Sequence, residues 1–258
     1  MRILLLGLVV VLAGCSGPAL QGATTTPTAT PAPVPTVEDS FPPGVAPEGV
    51  ADASALAHAH RESVRDCSHT LVVFERERVG EPALGSHFVG NRTVYQVGAD
   101  GSFNVTVFRV NTRGNGALTT QVPIRSAYGN RTAGFGRAAT ADGPAYRRGA
   151  ERPDVAALGA TYVERYLAVP NATVRPRGDD GVRVTSTDPT ALPNASSYFV
   201  DADVGPNGTL RRLHVEYVDA DGTVRFLTVR VSDVESTAVS RPGWVSEAAA
   251  ATNTSDAT

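Results

Sequence analysis

The segments Thr209–Asp219 and Thr223–Val234 constrain the fold more than any other part of this chain. In the first, Leu213, Val215 and Tyr217 recur at every second position and so project to one side of an extended strand. In the second, Val224 and Phe226 lie nearby in the same alternation. Between them, Asp219-Ala220-Asp221-Gly222 supplies the short acidic side chains and the glycine of a tight turn. Together they read as an antiparallel hairpin with an apolar face. A face of that kind must be covered, so hairpins like this one require helices or a second sheet against them.

The same punctuation recurs upstream. Thr70–Val79 begins as TLVVF and ends in the alternating charge of ERER. His87–Val89 and Thr93–Val97 read as short strands around Gly90-Asn91, followed by Ser102–Asn111 and Ala117–Ile124. Turns are expected at Gly80-Glu81-Pro82, Ala99-Asp100-Gly101 and Arg113-Gly114-Asn115-Gly116. Tyr128–Gly149 is rich in Gly, Ala and Arg and reads as loop or weak edge strand. A later group comprises Thr173–Pro176, Gly181–Ser186, Tyr198–Val204 and the hairpin. A helix precedes each group. Asp52 caps the first, which runs to about Asp66 with Leu56, Ala59, Ser63 and Val64 on one side. The second runs from about Pro153 to Val169, with Asp154 at its positive end, an apolar stripe of Val155, Leu158, Tyr162, Tyr166 and Leu167, and Pro170 as terminator. The expectation is one α+β domain over residues 40–245: a curved, half-barrel-like antiparallel sheet with two main helices, one before each group of strands. Residues 246–258 show no core-forming pattern and are expected to form a disordered tail.

The N-terminus opens MRILLLGLVVVLAGC, with one Arg, an apolar run from Ile3 to Ala13 and small residues up to Cys15. The run spans about 16 Å as a helix, against roughly 30 Å for a bilayer core, and so reads as a secretory signal peptide. Leu12-Ala13-Gly14-Cys15 resembles a lipobox, which implies lipidation of Cys15 and removal of residues 1–14. Loss of Arg2 would take the net charge from −3 to −4. Residues 15–39 hold five prolines and many threonines, with no charge before Glu38. This is the composition of a disordered, extended tether, reaching on the order of 60 Å over twenty residues at polyproline rise.

All 23 basic residues are arginine. The small net negative charge gives no reason to expect a nucleic-acid partner. With Cys15 assigned to the anchor, Cys67 has no partner for an internal disulfide and reads as a small buried residue. Seven of the nine asparagines begin Asn-X-Ser/Thr triplets: Asn91, Asn104, Asn130, Asn171, Asn194, Asn207 and Asn253. This marks candidate N-glycosylation sites on an exported protein, although Asn91, Asn130 and Asn207 also suit turns that lead into strands. His58 and His60 lie about 200° apart on a helix and cannot share one ion, while His69, His87 and His214 are scattered, so all five read as surface or partly buried side chains. Asp201-Ala202-Asp203 and Asp219-Ala220-Asp221-Gly222 lack the downstream acid of a calcium loop and read as turns. Arg147-Arg148 and Arg211-Arg212 read as solvated basic spots. No metal or cofactor is expected, and no nucleophile elbow, phosphate loop or His-Glu-X-X-His stands in the sequence.

The AGC lipobox, the Thr/Pro tether, the FPPGV entry, the NRT and NGT strand starts and the PGWV exit resemble a haloarchaeal cell-surface lipoprotein family of unknown function. The layout is also similar to the half-barrel lipid carriers of the LolA and LppX type, which implies a curved sheet around an apolar cavity. Three readings follow. One is a membrane-anchored module for a lipid or other apolar ligand, with Val105, Leu213 and Val215 lining a cavity. The second is an interaction or structural glycoprotein with a filled core, and the third an extracellular hydrolase with Ser, His and Asp or Glu converging in a cleft.

Overall fold

The computed structural model describes residues 41–80, 87–113 and 117–253. The signal peptide, Cys15 and the tether lie outside the described residues, as do the centres of the turns expected at Gly80-Glu81-Pro82 and Arg113–Gly116. Two short strands, β1 (Val45–Ala46) and β2 (Gly49–Val50), lead into helix α1 (Ala53–Val64). A meander of six strands follows: β3 (His69–Val79), β4 (His87–Val97), β5 (Phe103–Arg113), β6 (Leu118–Gly129), β7 (Gly134–Thr140) and β8 (Gly143–Arg148). Helix α2 (Val155–Tyr166) then introduces β9 (Thr173–Pro176), β10 (Val182–Ser186), β11 (Ser197–Val204), β12 (Leu210–Val218) and β13 (Val224–Ser232), and α3 (Trp244–Asn253) comes last.

Strands β3 to β13 form one open, curved antiparallel sheet in the order 8-7-6-5-4-3-13-12-11-10-9. The α+β architecture is the expected one, with a helix before each group of strands. The groups are joined where β13 pairs with β3, placing Val231 beside Leu71 and Val229 beside Val73. Both helices begin at a capping aspartate: Asp52 accepts from the Ala55 N–H and Asp154 from the Ala157 N–H, each at 2.9 Å. Leu56, Ala57, His60 and Val64 of α1, and Val155, Ala156, Gly159, Val163 and Tyr166 of α2, are buried at helical spacing. They cover Leu71 and Val73 of β3, Leu227 and Val229 of β13, Leu213 and Val215 of β12, and Val200 and Ala202 of β11.

Two polar ties fasten the helices to the sheet. The Tyr198 hydroxyl donates to the Tyr166 carbonyl at the end of α2. The Leu210 N–H donates to Nδ1 of His60 at 3.1 Å. His60 is only 1 % exposed and sits where α1 crosses α2. A Cβ on Gly159 would fall 2.2 Å from its Nε2, so the helices approach this closely because residue 159 has no side chain.

The structure departs from expectation in several places, and Asp201-Ala202-Asp203, read as a turn, lies within β11. His87–Val97 is one strand and not two, because its ladder with β3 runs unbroken through Gly90. Of the two readings of Tyr128–Gly149, loop and weak edge strand, the loop fails: most of it forms the end of β6 with β7 and the edge strand β8. Residues 244–253 are helical, and Val245 and Ala248 pack with Tyr128 and Phe135 in a second small core. Finally, His60 and His69 are core residues, at 1 % and 3 % exposure.

Gly159→Ala should lower stability by about 1–3 kcal/mol despite its helix-propensity gain of about 1 kcal/mol, because the added methyl meets the His60 ring. Urea unfolding of Gly159→Ala in the His60→Asn background should recover most of that loss, since the shorter side chain clears the contact. Burial, with His69 adding to it, pushes His60 down to about 4. Its unfolded value is near 6.5, so the unfolded chain binds the proton first. The stability held above pH 6.5 should therefore fall as pH drops towards 4, by on the order of 3 kcal/mol. Burial lowers His69 and His214 as well, and they steepen the same limb. The difference between the wild-type and His60→Asn stability–pH curves isolates His60, and parallel curves would refute its role.

Candidate functional site

Cross-strand partners in an antiparallel sheet project to the same side. From Leu71, buried under the helices, one row runs through Tyr95, Val105, Ala127 and Gly136 to Arg147. From Val73, a second row runs through Thr93, Val107, Arg125 and Ala138 to Ala145. The helix-facing side of the sheet thus continues without interruption from β3 to the edge strand β8. The core that α1 and α2 cover reaches Tyr95 and Val97 of β4 and includes no residue of β5–β8, and α3 packs on the other side, where the Tyr146 hydroxyl donates to Glu247 at 2.6 Å.

This uncovered stretch forms a trough of about 550 Å³. That volume lies in the range of small-ligand sites, roughly 300–1,000 Å³. Val105 and Val107 line it on β5, and Ala127, Gly136, Ala138 and Ala145 line it across β6 to β8. The glycine has a definite role. A Cβ at position 136 would lie 2.7 Å from Nε and 2.9 Å from Cγ of Arg147. The Arg147 side chain therefore lies inward from the edge strand across Gly136. Arg125 rises from the neighbouring row. Among the described residues neither arginine has a carboxylate within ion-pair distance, whereas Arg177, Arg183, Arg211, Arg212 and Arg225 all do. The trough thus combines a floor of short side chains with the guanidinium groups of Arg125 and Arg147, and Ser126, Arg137 and Tyr146 also line it.

Of the residues expected to line a cavity, the structure brings only Val105 to the trough. Leu213 and Val215 are fully buried beneath α1 and α2, where packed side chains take the space. The acidic pairs are engaged by arginine. Asp201 accepts from Arg183 at 2.7 and 2.8 Å and from Arg212 at 2.8 Å. Burial alone would raise the Asp201 carboxyl, but the Arg183 and Arg212 contacts outweigh it and hold it below the ordinary value. Asp203 is bound to Arg177 and Arg212, and Asp219 to Arg225. These carboxylates close on guanidinium groups rather than facing a common cation.

Cys67 is half-buried, with Sγ 3.9 Å from Glu235. Burial and the carboxylates of Glu235 and Asp66 push its thiol up, the opposite of what a nucleophilic thiolate needs. His69 donates through Nδ1–H to the Cys67 carbonyl at 3.0 Å, and its Nε2 has no partner among the described residues. Asn91, Asn130, Asn171, Asn194 and Asn207 are exposed. Asn104 differs: it is half-buried, and its amide donates to Gln96 at 3.2 Å. Cys15 lies outside the described residues.

Val105 is expected to line a cavity and Arg147 to form a solvated basic spot; the other residues of the trough are not singled out by the sequence. The signal lay in alternation at Arg125/Ala127, Gly136/Ala138 and Ala145/Arg147, a period-two pattern of small residues and arginine. Its glycine and alanine content gives it the composition of a loop.

No family model matches the chain, and no curated protein matches it. Among solved structures it is similar to a DUF1329 family protein from Desulfovibrio piger, at 12 % identity over 77 % of this chain and 97 % of that one. The TM-score is 0.25, a likeness that carries no argument about fold or function.

Proposed function

We propose that this chain is an exported lipoprotein, anchored through Cys15, whose α+β domain binds a lipid or other apolar ligand in the trough over β5–β8. The observation that carries the reading is the change along one sheet face. Over β3 and β10–β13 its apolar side chains are capped by two helices. Over β5–β8 the same face continues with alanine, glycine and valine under no helix. Short side chains on an uncovered face leave room for an apolar occupant, and burying that surface would stabilise the complex. The lipobox-like LAGC and the uncharged tether support placement at the outer membrane surface. Among the described residues no helix is long and apolar enough to cross a membrane. The exposed sequons are compatible with glycans on the same domain, and Asn104 is the one expected to stay unmodified.

Two experiments test this. Cys15→Ser should move the protein from the membrane fraction to the soluble one and remove a lipid mass from its N-terminal peptide. Native mass spectrometry of residues 15–258 carrying Cys15→Ser, which spans every described residue, should show an adduct of lipid mass that organic extraction removes. Ala127→Trp, which fills the trough without touching the helix-covered core, should abolish the adduct while leaving the melting temperature within a few degrees. A bare protein mass in the parent would sink the ligand reading and favour a surface interaction role.

A further inference from the structure

Resting on that reading, we infer that the ligand is an amphiphile with a single anionic headgroup, its tail over the Ala/Gly floor and its head between Arg125 and Arg147. Two strands and two residues separate these arginines, so their Cα atoms stand roughly 12 Å apart by strand spacing and rise. Both project to the same side, with Ala138 and Gly136 between them. Arg147 lies across Gly136, a course that any other residue at position 136 would block. An edge-strand arginine ordinarily extends into water, where its charge is best solvated. Here the residue stays exposed, but its stem lies across Gly136 over the trough floor.

Charge supplies the second argument. Among the described residues no acidic side chain lines the trough. On β10–β13, Arg183, Arg211, Arg212 and Arg225 are each matched by a carboxylate, as in the Arg183–Asp201–Arg212–Asp203 network. At the trough Arg125 and Arg147 share one face, Arg137 lines the same cleft from the alternate position of β7, and among the described residues none of the three has a carboxylate within ion-pair distance. A guanidinium offers a planar fork of donors suited to carboxylate, sulfate or phosphate oxygens, and two forks on one oxyanion select for it over an uncharged polar head. The apolar floor then selects for a tail, which an inorganic anion lacks.

The test uses residues 15–258 with Cys15→Ser and two fluorescent probes, 11-(dansylamino)undecanoate and its uncharged methyl ester. At low salt the acid should bind about tenfold more tightly than the ester, the scale expected of charge-assisted hydrogen bonds at a half-exposed site. Arg125→Gln with Arg147→Gln should erase that preference and leave ester binding unchanged, while Arg211→Gln, remote from the trough, should have no effect. Added salt should narrow the gap by screening. Equal binding of acid and ester, insensitive to the arginine substitutions, would overturn the headgroup assignment and leave the apolar-ligand reading standing. Failure of both probes to bind would overturn both. Displacement of the acid by inorganic phosphate at the probe's own concentration would show that no tail is needed and would overturn the amphiphile.

Discussion

The β3–β13 ladder holds this molecule together. It pairs a strand near the start of the domain with the last strand of the sheet, along Thr70–Glu77 and Arg225–Ser232. Without it the chain is two separate meanders, each with one helix and an open edge. With it, Leu71 and Val73 stand beside Val229 and Val231, and the patch under α1 and α2 becomes one surface. Closing so long a loop costs entropy that grows only slowly with length, but the contact must form before either helix gains its full burial. The ties made by His60 and Tyr198 act across that joint: α1 is held by a backbone N–H of β12, and the end of α2 by a hydroxyl of β11.

The uneven cover of the sheet follows from this arrangement. Two helices pack together over the joint, through the close approach at His60 and Gly159, and cannot also reach β6–β8. The third helix supports those distal strands from the other side, through Val245, Ala248 and the Tyr146–Glu247 hydrogen bond. Strands β7 and β8 are therefore held from behind and open in front. This is a suitable arrangement for a binding surface, since the backbone is fixed and no helix has to be displaced for a ligand to enter.

The sequence shows its strongest elements directly. The Asp52 and Asp154 caps mark both main helices to within a few residues, and the Leu213–Val215–Tyr217 alternation marks the central hairpin. What it hides has a common physical cause. Alanine and glycine contribute little apolar area, so the stripe Val245–Ala248–Ala249 scarcely rises above a polar tail, and β7 and β8 resemble a loop. Both become ordered because tertiary packing supplies what local propensity does not. His60 is hidden for the opposite reason. Its polarity argues for the surface, and the Leu210 N–H that its Nδ1 accepts across the core explains its burial.

The outer face of the central strands completes the argument for where a ligand can go. There, Arg76 lies 5.1–5.3 Å from the ring centres of Phe74, Phe88 and Phe226. Phe88 and Phe226 themselves meet edge to face at 5.0 Å. Burial lowers the Arg76 guanidinium, and the rings' negative faces replace part of the water it has lost. Further along this face, Arg183, Asp201, Arg212 and Asp203 bind one another across three strands. The central strands are thus packed by helices on one side and by a lattice of arginine, phenylalanine and aspartate on the other. Opening a space for a ligand there would break contacts on both faces at once. At β5–β8 the helix-side face carries no such contacts among the described residues, and among them Arg125 and Arg147 have no carboxylate within ion-pair distance.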